Sequence, residues 1–263
     1  MGFGAMQLGG RNAFGPADDP ERSRRALRTA IDLGVRHVDT SDYYGPHLVN
    51  ELIRETLDPY PDDLVLVTKI GARRDAAGQW LPALSPDEIR AGVDDNLAHL
   101  DVDRLDVVNL RVMTAGEPIG EKFAVLAELR EQGLIRHLGV SNVDAAQLAE
   151  AQRIAPVACL QNMYSVANRA DDALIDHCAG QDIAFVPYFP LGGGFAPFAT
   201  GALEQVGRRH GVTAHQVGLA WLLARSPNML IIPGSGNPDH VTENVAAAAL
   251  ALTEEDLAEL SRW

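Results

Sequence analysis

Eight short runs of apolar or β-branched residues recur along the chain. Most of them end in polar residues, and the intervals between them read as helix. The runs are residues 2–6 (GFGAM), 36–40 (RHVDT), 64–69 (LVLVTK), 105–111 (LDVVNLR), 137–142 (HLGVSN), 158–162 (ACLQN), 183–189 (IAFVPYF) and 229–235 (MLIIPGS). Between them lie amphipathic segments such as ERSRRALRTAIDLG, PDEIRAGVDDNLAHL, EKFAVLAELREQG, DAAQLAEAQRI and DDALIDHCAGQ. Several open at Ser, Asp or Pro and close at Gly, which is helix start and stop chemistry. Strands joined by helical crossovers lie parallel, and eight such units predict an α/β protein built as a single (β/α)8 TIM barrel. The 263 residues fit one domain, 1–263, of that architecture, which typically needs about 250. A doubly wound dinucleotide fold would carry G-x-G-x-x-G after its first strand, but GFGAMQ places Gln7 at the third glycine. The first run begins at the initiator methionine and the chain stops soon after TEEDLAELSRW. The barrel is therefore expected to lack an N-terminal hairpin and a long C-terminal tail.

The formal net charge is −14, which repels nucleic acid and anionic membranes. An anionic cofactor would need local devices such as helix N-termini and backbone N–H groups. No apolar run approaches the ~18 residues of a membrane span, and no secretory leader pattern opens the chain, so the expected compartment is the cytoplasm. Cys159 and Cys178 sit in no metal or redox spacing and read as buried fillers. The histidines show neither H-x-H nor H-E-x-x-H spacing, so no metal is expected.

In a barrel of this kind the chemistry gathers at the C-terminal strand ends. Those ends carry Asp39 and Tyr44, Lys69, Asn109 and Arg111, Ser141 and Asn142, Gln161, and Tyr188, with PLGGG and PGSGN after the last two runs. Lys69 is one of only two lysines in a chain that otherwise uses arginine. It closes a nearly continuous apolar run, so its ammonium needs an acid, and Asp39 is the obvious partner. A tyrosine beside that ammonium is expected to have its pKa drawn below about 10 and to act as a general acid. An ordinary ion pair with a packed tyrosine would account for the same residues. Ser141, Asn142 and Gln161 form a neutral hydrogen-bonding set suited to a carboxamide. The glycine turns occupy the place where barrels often bind phosphate.

Eight stretches in order, GFGAM, DTSDYYG, TKIG, LDVVNLR, GVSN, LQNMY, PYFPLGG and IIPGSGNPDHVTEN, give the chain a resemblance to the aldo-keto reductase superfamily over nearly its whole length. DVVNLR, QNMYSVANRADDALID and VPYFPLGG resemble its bacterial branch of pyridoxal reductases. The resemblance implies a cytoplasmic, metal-free, NADPH-dependent reductase of a small-molecule aldehyde or ketone, with NADH as the alternative cofactor and pyridoxal as the first substrate. It implies that Tyr44 is the acid, tuned by Lys69 and Asp39. Gly4, Ala5 and Met6 would floor the nicotinamide, whose carboxamide Ser141, Asn142 and Gln161 would hold, with Tyr188 stacked on its ring. Phe189, Pro190, Leu191 and Gly192 would follow the pyrophosphate, and Gly234, Ser235, Asn237, His240, Glu243 and Asn244 would surround the adenosine. The family generally has a histidine where this chain has Arg111, which is expected either to stabilise negative charge on oxygen or to bind an anionic substrate group, with Asn109 facing the same side. Basic residues common at the adenosine 2′-phosphate are replaced by Gly234 and His240. Trp80 is the expected aromatic wall for the substrate, with a loop-packing tryptophan as the plain alternative, and His47 is a candidate for the substrate mouth that reads first as a solvated loop histidine. The protein is expected to be a monomer or small homo-oligomer. A slow-turnover, redox-sensing cofactor-binding subunit is the second reading.

Overall fold

The computed structural model describes residues 1–114, 116–192 and 201–262. Seven parallel strands form one sheet, β1 (Phe3–Gly4), β2 (His37–Asp39), β3 (Val65–Ile70), β6 (Leu105–Arg111), β7 (Ile135–Ser141), β8 (Val157–Gln161) and β9 (Ala184–Phe185), in that order. A short antiparallel hairpin, β4 (Ala72–Arg74) with β5 (Trp80–Pro82), projects after β3. The helices are α1 (Pro20–Asp32), α2 (Leu48–Leu57), α3 (Pro86–Leu100), α4 (Gly120–Glu131), α5 (Ala145–Gln152), α6 (Asp172–Ala179), α7 (Gly201–His210), α8 (Ala214–Arg225), α9 (Pro238–Ala246) and α10 (Glu254–Leu260). Among the described residues no helix is long and apolar enough to cross a membrane.

The sheet closes on itself through an eighth stave that is not a regular strand. The Phe185 N–H donates to Asn228 O (3.0 Å) and the Leu230 N–H to Phe185 O (2.9 Å). On the other side the Gly2 N–H donates to Ile231 O (2.8 Å) and the Gly4 N–H to Pro233 O (3.3 Å). Where eight full strands were expected, the seventh shrinks to two residues and the eighth to isolated contacts. Pro187, Pro190 and Pro233 remove the N–H groups that a longer ladder would need. The seam between first and eighth staves is backbone against backbone: a Cβ on Gly234 would lie 2.0 Å from Gly4 O, and one on Gly4 2.6 Å from Ile232 O.

Helix starts follow the sequence closely. Ser85 and Glu88 form a capping box at α3, Asp144 and Gln147 at α5, and Thr213 and Gln216 at α8, each satisfying orphan N–H groups. The α7–α8 pair between the seventh and eighth staves was not among the helical segments read from sequence. Val217, Leu219, Ala220, Trp221 and Leu222 of α8 are all buried, so its apolar residues do not confine themselves to one stripe.

Strand alternation sorts side chains into two cores. On β6, Val108 and Leu110 turn outward into the large helix-facing core, whereas Val107 joins Cys159, Val186 and Ile232 inside the barrel. Asn109 and Arg111, spaced by two from Val107, point the same way. The register pairs Lys69 with Asn109 and Asn109 with Gly139. A Cβ on residue 139 would meet Asn109 Oδ1 at 2.1 Å, which is why glycine stands there. The interior is thus apolar at the level of Cys159, polar at Asp39, Lys69, Asn109 and Gln161, and open at Arg111. Both cysteines are free and buried, and burial pushes the thiols up, Cys159 to about 12 and Cys178 to about 11, which makes them inert fillers.

Candidate active site

A cleft of about 860 Å³ opens at the C-terminal end of the barrel. Its lining includes Gly4, Met6, Asp39, Tyr43, Tyr44, Lys69, Trp80, Arg111, Met113, Gln161, Tyr188, Phe189, Pro190, Leu191 and Gly234.

Its floor is an ion pair. Lys69 Nζ lies 2.5 Å from Asp39 Oδ1, with the two side chains 3% and 4% exposed, and donates a second hydrogen bond to Thr40 O at 2.9 Å. The second carboxylate oxygen of Asp39 accepts from Gln161 Nε2 at 2.8 Å. Asp39 thereby orients a cation and an amide at once. Gln161 Oε1 is buried with no partner, an acceptor left open in a place where such atoms are costly.

Tyr44 lies over this floor, with Lys69 Nζ 5.3 Å from its ring centroid, and its hydroxyl has no hydrogen-bond partner among the described residues. The expected lowering of its pKa does not occur. Burial pushes the phenol well up, Asp39 pushes it further, and Arg111 opposes both. The Lys69 charge is compensated by Asp39 at contact distance, so little of its field is left for the phenol, and desolvation wins. Tyr43, edge-on to Tyr44 at 5.3 Å and to Trp80 at 5.2 Å, is raised to about 12 by burial, with Arg111 again opposing.

Arg111 enters from the end of β6. It donates to the Ser141 hydroxyl at 3.2 Å, and its guanidinium stands 5.2 Å from the Tyr188 ring centroid. No carboxylate among the described residues forms an ion pair with it. The Tyr188 hydroxyl donates to Asn142 Oδ1 (3.1 Å), and Asn142, with φ 63°, donates from Nδ2 to Val112 O (2.8 Å). Ser141 and Asn142 thus stand behind Arg111 and Tyr188 rather than in the lining.

Asn109, Ala5 and His47 also lie outside the lining. Asn109, expected beside the substrate, is fully buried under the cleft, where Oδ1 accepts from the Cys159 thiol at 3.1 Å and Nδ2 has no partner. Strand alternation gave its side correctly but not its depth, one layer below Arg111. Ala5 is fully buried in the helix-facing core. His47 is outside the lining and exposed, as its reading as a solvated loop histidine has it: Asp42 accepts from His47 Nδ1 (2.7 Å), from His99 Nδ1 (2.8 Å) and from Asn50 Nδ2 (3.2 Å). The ligand atoms of Asp42, His47 and His99 lie within 4.8 Å of one another, a grouping that linear spacing does not show; each Asp42 oxygen is already engaged by one imidazole.

Trp80 stands in the cleft wall on β5, with the Arg74 guanidinium 4.0 Å from its ring centroid and 5.1 Å from that of Phe14. Arg74 also donates to Asn12 O, Ala13 O and Gly78 O, tying the hairpin to the loop after β1. The hairpin, Arg74 and the wall role of Tyr43 had no counterpart in the sequence reading; the one signal was the unusual Tyr43–Tyr44 doublet.

Toward the far end, Phe189 (φ 53°), Pro190 and Leu191 line the cleft, Gly192 (φ 79°) follows them, and Gly193 and Gly194 of PLGGG lie outside the described residues. Gly234 lies in the lining, and beyond it Ser235 Oγ accepts from the Asn237 N–H (3.0 Å) and meets His240 Nδ1 at 3.4 Å. Asn237 caps α9, which carries Glu243 on an exposed position and Asn244 on a half-buried one.

Residues 1–262 match the sequence profile of the Aldo/keto reductase family. The chain is 53% identical to pyridoxine 4-dehydrogenase of Escherichia coli (strain K12), over 99% of this chain and 93% of the relative. Among solved structures, a thermostable aldo-keto reductase in complex with the inhibitor epalrestat superposes with a TM-score of 0.84 at 31% identity, over 99% of this chain and 93% of the other. An aldo/keto reductase from Klebsiella pneumoniae in complex with NADP and acetate superposes with a TM-score of 0.83 at 27% identity, over 99% and 89%.

Proposed function

The chain belongs to the aldo/keto reductase family, and from that premise we propose that it is an NADPH-dependent oxidoreductase that reduces an aldehyde, pyridoxal first among them, within one barrel domain spanning 1–263. The relative's name, pyridoxine 4-dehydrogenase, describes the oxidation whose reverse is reduction of that aldehyde.

The cleft fits a nicotinamide nucleotide on an observation of its own. Gln161 Oε1 is a buried acceptor lacking a donor, and a carboxamide N–H is such a donor. Tyr188, on the neighbouring stave, supplies a ring in the same lining, which Phe189, Pro190 and Leu191 continue and which also includes Gly234, ahead of the α9 N-terminus; helix N-termini favour anions. Bound there, the reduced nicotinamide supplies a hydride to the carbonyl carbon.

The chain's residues do the rest. Tyr44 donates its phenolic proton to the carbonyl oxygen as negative charge gathers there, and solvent later restores it. Its raised pKa keeps that proton in place at neutral pH, so the acid is always loaded. Lys69, held by Asp39, fixes the floor under Tyr44, and Arg111, the charge that favours the phenolate, supplies a preorganised stabilisation that needs no rearrangement during the step. Arg111 and the aromatic wall hold the substrate.

The convergence of Tyr44 with the buried Lys69–Asp39 pair on one cleft carries this reading. NADPH consumption with pyridoxal tests it, together with Tyr44→Phe and a separate fluorescence titration of NADPH. A kcat loss of roughly 10²–10⁴ with cofactor binding retained is expected. Unchanged turnover in Tyr44→Phe would remove Tyr44 from the mechanism.

A further inference from the structure

We propose that Arg111 reads an ionised oxygen placed next to the substrate's carbonyl, so that the preferred substrates are aromatic aldehydes with an acidic hydroxyl ortho to the reacting group. The inference rests on the carbonyl-reductase reading of the cleft and names the chemistry that selects its substrate.

The first ground is an uncompensated charge. Among the described residues Arg111 has neutral partners only, the Ser141 hydroxyl at 3.2 Å and the Tyr188 ring at 5.2 Å. A guanidinium cannot shed its proton, and withdrawing one from water without a counter-ion is costly. Lys69, two residues lower in the same barrel by register, has its carboxylate in contact. Arg111 therefore lacks something that a bound anion provides.

The second ground is geometry. A guanidinium is a planar fork that grips two oxygens at once. An ortho-hydroxy aldehyde presents its carbonyl oxygen and its phenolate oxygen on one edge, a two-oxygen face for that fork, while Tyr44 donates to the carbonyl oxygen from the other side. The third ground is the wall. Trp80, Tyr43, Tyr188 and Phe189 in the lining favour a flat aromatic body. Arg74 does not compete for the anion, because its guanidinium is spent on Asn12, Ala13 and Gly78 carbonyls and on the Trp80 face. One available cation suits a single ionised oxygen better than a dianionic phosphate. In a chain with a net charge of −14, the rest of the surface disfavours anions, so selection falls to this residue.

The test compares kcat/KM for 2-hydroxybenzaldehyde, 2-methoxybenzaldehyde and benzaldehyde with NADPH across pH, in the wild type, Arg111→Met and Arg111→Lys. The wild type should favour the hydroxy compound over the methoxy compound by roughly ten- to a hundredfold, the range of a charge-assisted hydrogen bond. That ratio should grow as pH rises through the hydroxyl's own ionisation. In Arg111→Met it should collapse toward one, and Arg111→Lys should keep part of it, having charge but no fork. Should Arg111→Met fail to fold, the wild-type pH series decides alone. A wild-type ratio near one at every pH, or an undiminished ratio in folded Arg111→Met, overturns the inference while leaving the reductase reading intact. Failure of the wild type to reduce any of these aldehydes or pyridoxal overturns both.

Discussion

Lys69 and Arg111 stand one above the other inside this barrel, floor and mouth, and they are treated oppositely. Lys69 is fully buried, touches Asp39 at 2.5 Å and donates to Thr40 O. Arg111 sits one layer higher with a hydroxyl and an aromatic face for company. The first charge is complete before anything binds; the second is completed by what binds. A third base shows the default outcome. His37, two residues below Asp39 on β2, has Nε2 buried without a partner, and desolvation lowers its pKa to about 4. A buried base that can lose its proton does so. Arginine cannot, and that makes its isolation at the mouth informative.

The sharpest way to break the contrast is to remove Lys69. Lys69→Met leaves Asp39 buried and unpaired, and chemical unfolding of the cofactor-free protein should show about 3–5 kcal/mol of lost stability, with kcat falling as well. A loss under about 1 kcal/mol would mean the pair is not the resident structure described.

His37 should govern acid sensitivity. The folded protein holds it neutral down to about pH 4, whereas the unfolded chain protonates it near 6.5. Between those values the unfolded state binds the extra proton, so stability is full above pH 6.5 and declines on acidification toward pH 4, by up to about 3 kcal/mol. His37→Gln should flatten that slope in unfolding curves taken from pH 7 to 4; an unchanged slope assigns the acid sensitivity elsewhere.

Arg111→Met should behave unlike Lys69→Met. Without ligand it removes an uncompensated charge, so unfolding should show a change within about 1 kcal/mol, or a gain. A loss as large as that of Lys69→Met would place Arg111 among the structural residues. The smallest expected effect is a flat one. Because Tyr44 is raised above the ordinary phenol value of about 10, kcat for reduction should show no alkaline decline from this group below that pH. A descending limb near pH 8, lost in Tyr44→Phe, would contradict the burial argument.

Much of this architecture could be read from the chain. A lysine closing an apolar run needs an acid at its own level, and that rule alone joins Lys69 to Asp39. The capping residues at 85, 144 and 213 mark helix starts by chemistry confined to four residues. What failed was whatever depended on depth. Asn109 and Arg111 share a side by alternation, but only the folded barrel shows that one is floor and the other mouth. The sign of the Tyr44 shift comes from its burial, with Asp39 adding to it, and depth of burial leaves no trace in a run of residues. The grouping of His47 with His99 around Asp42 could not be read, because His99 lies 52 positions away on α3. The hairpin bearing Trp80 is held by Arg74 against Asn12 and Ala13, and no local pattern announces a clasp across sixty residues.

The glycine seam has a consequence for how such a barrel can diversify. Where Gly4 meets Gly234, main chain abuts main chain with no room for even a methyl group. Any branch added there would act as a wedge, prising the cylinder apart beside its own mouth. This part of the rim is closed to tinkering, and new specificity must be written elsewhere in the lining.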